Sequence, residues 1–178
     1  MVSSWKSRLP LVYQRVPHAG PQVARNLGAS LTDGEFLLFS DSDVIFRPDA
    51  FATFVRELHH HPGAAYAYCD YERIGLSHQA HIARPFDASA LKRRNYISMV
   101  SLLRRSAFVG FDERIRRLQD WDFWLNLLLH HGRKGAYIPQ PLFQAWVRPH
   151  GISNDARDDA VPLHEAVQIV RRKYGLPT

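Results

Sequence analysis

GEFLLFSDSD, Gly34 to Asp43, carries an apolar run straight into two acids. Residues Glu35 to Ser40 are mostly apolar and predict a short buried strand. Asp41 and Asp43 follow at its C-terminal tip with only Ser42 between them. Like charges that close repel, and withdrawal from water raises the cost. A divalent cation with oxygen ligands, often shared with a phosphate, relieves both effects. In open α/β sheets ligands gather at the carboxyl ends of strands. The run therefore points to a metal-assisted site for a phosphate-bearing molecule. The plainer alternative is that both acids start a turn and cap the next helix, and the run alone does not separate the two.

Outward from this stretch, Leu9 to Val16 reads as a strand and His18-Ala19-Gly20-Pro21 as a turn. Pro21 suits a first helical position, where its missing N–H would be unpaired anyway, so a helix is expected from Pro21 to about Leu31. Pro48 and Asp49 open a second helix, with Phe51, Phe54, Val55 and Leu58 at helical spacing. It ends near His59-His60-His61. Neighbouring helical residues point about 100° apart, so these histidines do not share an ion readily and read as a solvated helix end. Ala64 to Asp70 reads as a strand. Residues 72 to 95 are polar and irregular, a surface excursion or an edge hairpin. Ile97 to Arg105 is an apolar strand or short helix, and Gly110 to Glu113 a turn. Gln119 to His131 is a helix closed by Gly132. Ala136–Ile138 and Leu142–Val147 read as short strands split by Pro139 and Pro141. Arg148 to Asp159 is a polar loop. Pro162 to Tyr174 is an amphipathic helix with Leu163, Val167, Val170 and Tyr174 inward. The alternation of strands and helices argues for an α/β fold, and 178 residues suit a single domain spanning 1–178.

The bulk numbers narrow the classes. A hydrophobic share of 46% is that of a globular chain, not a disordered one. A formal charge of +6 favours anionic partners, but no Lys/Arg block interleaved with aromatics tracks a nucleic-acid backbone, so no nucleic-acid partner is expected. Cys69 is the only cysteine, which excludes an intrachain disulfide and fits a reducing cytoplasm. It lies in an apolar stretch and reads as a buried small residue. No apolar run reaches the length of a membrane span, and the N-terminus lacks the apolar core of a signal peptide. The expected location is cytoplasmic, with peripheral attachment to a membrane left open.

Three elements could carry chemistry. Arg25 and Asn26, in ARNLGAS, fall in the first turns of a helix after a Gly-Pro turn, where an anionic group is favoured; a surface arginine is the alternative. Asp120 and Asp122, in LQDWDFWL, open a tryptophan-rich helix. The macrodipole alone explains acids there. The functional reading is that a carboxylate desolvated beside tryptophans becomes a stronger base, and Asp120 could then take a proton from a hydroxyl nucleophile. Arg148, His150 and Ser153, in VRPHGIS, share a Gly/Pro-broken loop, where His150 either joins a metal or phosphate site or is simply solvated.

In this order and spacing the pieces resemble the family 2 inverting glycosyltransferases with the GT-A fold. The resemblance rests on GPQVARNLGASLTDGEFLLFSDSDVIFRPDAF (Gly20–Phe51), NYISMVSLLRRSAF (Asn95–Phe108), GFDERI (Gly110–Ile115), QDWDFWLNL (Gln119–Leu127) and IPQPLFQAWVRPHGIS (Ile138–Ser153). It implies a GT-A-like, Rossmann-like mixed sheet flanked by helices, a nucleotide-sugar donor, UDP-linked above others, and Mn²⁺ or Mg²⁺. By position Asp43 resembles the metal ligand of the DxD motif, with His150 a second metal or diphosphate contact. Arg25, Asn26, Asp41 and Arg148 fall on the donor side. Asp120 resembles the catalytic base. The acceptor would be a carbohydrate or a lipid-linked compound, with Asp70, Tyr71 and Arg73 as candidates to meet it.

The chain also departs from the family pattern. Gln119 stands where a Glu is usual, and Asn126 where an arginine is common. An N-terminal strand–helix–strand segment is absent, so the pattern starts near Trp5 and the domain is expected to be N-terminally truncated. An unpaired sheet edge would invite self-association. The competing function is a non-catalytic remnant acting as a binding or assembly module. A sugar-nucleotide nucleotidyltransferase would want a Gly-rich, basic N-terminal loop that this chain lacks.

Overall fold

The computed structural model describes residues 9–76, 78–147 and 161–177. Six strands form one mixed sheet: β1 (Phe36–Leu38), β2 (Val44–Phe46), β3 (Tyr66–Gly75), β4 (Gln79–His81), β5 (Leu102–Arg104) and β6 (Gly135–Val147). Their order is β1-β5-β3-β6-β2, with β4 beside β3. β3 and β6 pair in parallel and the other pairs are antiparallel. The helices are α1 (Pro21–Ser30), α2 (Ala50–His60), α3 (Ala88–Arg93), α4 (Gln119–Leu129) and α5 (Leu163–Lys173). The α/β expectation holds.

The strand period of two sorts β3 between two cores. Tyr66 and Tyr68 pack with Trp121, Phe123, Trp124 and Leu127 of α4. Ala67 and Cys69 pack with Ala50, Phe54 and Leu58 of α2, and with Ile138 and Phe143 of β6. Cys69 is buried as expected, and burial pushes its thiol up to about 12. β1, β3 and β6 all point the same way. β1 and β2 end the main path of the sheet, so the segment bearing Asp41 and Asp43 leaves the carboxyl end of β1 and reaches β2 beside the carboxyl-terminal part of β6.

Several expectations are corrected. Leu9 to Val16 is irregular and exposed, not a strand. Apolar content does not make a strand without a ladder partner, and no described strand offers one. In α2 the buried stripe is Ala50, Thr53, Phe54 and Leu58, while Phe51 stays half exposed against the Phe46 ring at 4.8 Å. The helix begins at Ala50, and that phase turns Phe51 outward. β6 runs unbroken through Pro139 and Pro141. Its register against β3 shifts between Cys69 and Asp70 and again before Glu72, and such irregularities tolerate a residue without an N–H. The excursion at 72–95 contains the expected hairpin plus α3, which is capped by Asp87 accepting from the Ala90 N–H at 2.9 Å. In α5 it is Ala166 and Val170 that are buried, whereas Leu163 is exposed. The three histidines are exposed, and His61 lies 3.1 Å from Glu57 across one helical turn.

Candidate active site

α1 forms one wall at the carboxyl end of the sheet. Gly20 enters it at φ 92, a left-handed conformation that favours glycine. Arg25 leaves the helix with its side chain largely buried. Its guanidinium lies 5.7 Å over the Phe111 ring and 3.1 Å from the exposed Asp41 carboxylate. Asn26 turns to the Gly110–Glu113 segment instead. Its Oδ1 accepts from the Phe111 N–H at 2.7 Å, and its Nδ2 donates to the Phe111 carbonyl and to Glu113 Oε1, each at 3.0 Å. The Asn26 amide thus clamps the turn beneath Arg25. Asp43 is half-buried, and its backbone carbonyl accepts from the Trp146 N–H at 2.8 Å, which anchors the acidic crossing on β6.

The N-terminus of α4 carries Asp120 and Asp122. The chain enters it through Leu118 at φ 63, the one positive φ of a non-glycine among the described residues. Such a conformation costs about 1–3 kcal/mol and persists where surrounding packing imposes it; Leu118 packs against the core. Asp120 follows, partly buried. Its carboxylate accepts from Asn95 Nδ2 at 2.8 Å and from the Trp121 N–H at 2.9 Å. Burial pushes its pKa above the ordinary 3.8, while the Trp121 N–H, the Arg25 charge and the Asn95 amide pull the other way. A carboxylate so placed is a stronger base than a free one. Arg25 therefore joins the Asp41 crossing to the Phe111 turn, and its charge favours the ionised form of Asp120.

Asp122, two residues on, serves otherwise. It is nearly sealed from solvent and accepts from Lys173 Nζ at 2.6 Å and from the Tyr174 hydroxyl at 3.0 Å. The same ammonium reaches Asp112 at 2.9 Å. This network pins α5 to α4 and to the Gly110–Glu113 turn. Asp70 is enclosed as well: its Oδ1 accepts from the Ala83 N–H at 2.7 Å and from the Tyr137 hydroxyl at 2.8 Å. Of the acceptor-side candidates, Tyr71 is half-buried and Arg73 exposed.

Arg148 and His150 lie outside the described residues. Among the described residues no three His, Cys, Asp or Glu side chains gather at one point. A divalent ion would draw here on the Asp41 and Asp43 carboxylates. That all-oxygen set suits Mg²⁺ or Mn²⁺ completing its shell with water and phosphate oxygens. Asn95 and Lys173 are the residues sequence reading misses. Each acts on α4 from 25 and 51 positions away, respectively, and no local spacing signals either contact.

Known proteins converge on the same architecture. The family model described as glycosyl transferase family 2 matches residues 2–121. An uncharacterized glycosyltransferase of Haemophilus influenzae is 23% identical over 174 residues, which is 92% of this chain and 58% of that protein. S. aureus TarS 1-349 in complex with UDP-GlcNAc superposes with a TM-score of 0.73 at 16% identity, over 97% of this chain and 51% of that one. The complex of TarS 1-349 with UDP gives 0.65 at 18%, over 83% and 47%. The chain spans about half the length of these relatives. The likeness shows the fold, a GT-A mixed sheet with flanking helices.

Proposed function

The chain belongs to glycosyl transferase family 2, and from that premise we propose that it moves a sugar from a nucleotide-diphosphate donor to an acceptor hydroxyl, inverting the anomeric carbon. The observation that carries the reading is the Arg25–Asp41 ion pair at 3.1 Å beside the acidic crossing; it supports Arg25 as the diphosphate-side cation, and the burial that raises the Asp120 pKa supports Asp120 as the base. TarS has been solved with UDP and with UDP-GlcNAc, which supports a UDP-linked donor here.

In this reading Asp120 takes the proton of the acceptor hydroxyl. The acceptor oxygen bonds to the anomeric carbon from the face opposite the diphosphate. The carbon–oxygen bond to phosphate breaks, and its electron pair leaves with the diphosphate. Arg25 offsets the charge that develops there. Asn95 fixes the Asp120 carboxylate, and Asn26 acts at one remove by holding the Phe111 turn under Arg25. Asp43, with Asp41 beside it and His150 as a further ligand, would hold Mn²⁺ or Mg²⁺, which when bound neutralises phosphate charge. Arg148 is assigned to the donor side. The outer edges of β1 and β2 pair with no described strand and are the surfaces for self-association. No described helix is long and apolar enough to cross a membrane; the +6 charge supports peripheral contact with anionic lipid.

The test is calorimetric titration of UDP into the chain with and without Mn²⁺, beside Asp43→Ala. Metal-dependent binding that the variant loses is the expected result. Absence of binding by UDP, GDP and dTDP alike would refute the reading and leave a non-catalytic module.

A further inference from the structure

An apolar tip lies beside the acidic crossing. β3 and β6 run on together beyond the buried half of β3, with Ile74 in register with Trp146 and Gly75 with Val147. Ile45 of β2 pairs with Gln144, two residues before Trp146, so the strand period sets Ile45, Ile74 and Trp146 on one face of the sheet. After Gly75 the chain turns at Leu76 towards β4. Leu76 is 64% exposed, Ile45 55% and Trp146 49%. The indole lies across the turn: a Cβ at Gly75, where φ is 104, would stand 3.2 Å from Trp146 Nε1. Ile74, Gly75, Leu76, His78, Trp146 and Val147 line one recess of about 480 Å³. The Trp146 N–H donates to the Asp43 carbonyl at 2.8 Å, which ties this tip to the crossing.

The chemistry of the tip selects what can cover it. β3 and β6 are closed on each other here, and the Leu76 N–H donates to the Val147 carbonyl at 3.4 Å. An incoming strand therefore finds no open ladder between them. The Gln144 amide donates to Glu72 at 2.8 Å, outside the recess, and His78 is the one ionisable side chain of its lining. The hydroxyls of a sugar would find few partners there. Charge gives no net pull on an anion, since exposed Arg73 and His78 stand against Glu72 and Asp43. What remains is apolar surface over satisfied backbone, which meets hydrocarbon without stranding an N–H or a C=O. Tryptophan, apolar in body and polar at one edge, suits the headgroup level of a bilayer.

We propose, as an extension of the peripheral contact in the function above, that Leu76, Trp146 and Ile45 insert into the headgroup–acyl boundary of a phospholipid bilayer and seat the Asp43 crossing against it.

The test is flotation of the full chain with vesicles of phosphatidylcholine alone and of phosphatidylcholine mixed with phosphatidylglycerol, at low and high salt. UDP is titrated by calorimetry in parallel. Binding to both kinds of vesicle that survives high salt is the expected result. Ile45→Ser/Leu76→Ser should lower the partition coefficient by about tenfold or more, with UDP affinity unchanged. Leu163→Ser, which removes a comparably exposed leucine (53%) at the start of α5, should leave it unchanged. In a Trp5→Phe background, acyl-brominated lipid should quench the Trp146 fluorescence, because Trp121 and Trp124 are 2% and 0% exposed. Absence of flotation, flotation only with phosphatidylglycerol that high salt abolishes, or an equal loss in Leu163→Ser would overturn the inference. So would a dimer in sedimentation that Ile45→Ser/Leu76→Ser dissociates, which would assign the tip to a second copy. In each of these cases UDP binding by the unaltered chain leaves the proposed function standing. Its absence with flotation retained would refute that function and leave the membrane surface.

Discussion

Lys173→Met tests the contact that fixes the C-terminal helix against the helix bearing the proposed base. The Lys173 ammonium lies 2.6 Å from Asp122 and 2.9 Å from Asp112. The Asp122 side chain is 3% exposed and that of Lys173 27%. Removing one partner of a buried pair typically costs about 3–5 kcal/mol, because a charge is left uncompensated. Two features reduce that here. The Tyr174 hydroxyl still donates to Asp122 at 3.0 Å, and the quarter-exposed ammonium is already partly screened. The expected loss is about 2–3 kcal/mol. In urea unfolding followed by tryptophan fluorescence this appears as a midpoint lower by about 1 M or more at unchanged slope. Arg114→Met is the control: Arg114 grips the same Asp112 at 2.9 Å, but its side chain is 87% exposed, so its midpoint should move far less. Asp122→Asn/Lys173→Met should recover most of the loss, since a neutral amide needs no ammonium. A shift no larger than that of Arg114→Met, or a double variant weaker than the single one, would refute the argument from uncompensated charge.

Asp120→Asn should lower the transfer rate by a factor of about 10²–10⁴ with UDP affinity intact by calorimetry; a rate within a few-fold of the parent's would remove Asp120 from the base role. Because burial raises the Asp120 pKa above 3.8, the acid limb of kcat/KM should lie above that value, and Asn95→Ala, which deletes a donor favouring the ionised form, should move the limb to higher pH. The same sign applies to stability: a carboxyl with its pKa raised by folding destabilises the fold as pH rises through that range, so Asp120→Asn should raise the neutral-pH unfolding midpoint and lose this advantage in acid. Gly135→Ala would set a Cβ 2.8 Å from two atoms of the Tyr66 ring, which is fully buried. A loss of about 1–3 kcal/mol should show in thermal unfolding, and an unchanged Tm would mean the ring has room to move.

What was legible in the sequence was what local pattern controls. The polarity break at Ser40 located the end of β1, and Gly20-Pro21 located the start of α1. Period alone did not decide Leu9–Val16, since a strand exists only where a neighbour completes its ladder. Nor did it decide the phase of α2, where the start at Ala50 exchanged Phe51 for Ala50 on the buried face. Pro139 and Pro141 read as breaks because the register shifts that accommodate them belong to β3 as much as to β6.

The two acids of LQDWDFWL show the same limit at the site. In sequence Asp120 and Asp122 are equivalent: both fall in the first turn of α4, both gain from its macrodipole, and both neighbour a tryptophan. Two residues apart on a helix, they point about 200° from each other, so they cannot serve the same partner. Which one faces the site depends on where the helix begins. That point is fixed at Leu118, held in a left-handed conformation by the packing around it. From there Asp120 meets Asn95 and the field of Arg25, whereas Asp122 meets Lys173 and Tyr174. The partners, 25 to 52 residues away, leave one carboxylate as the proposed base and make the other an anchor. Rotating α4 by relaxing Leu118 would exchange no residue of the site, yet it would move Asp120 away from Asn95 and Arg25 together.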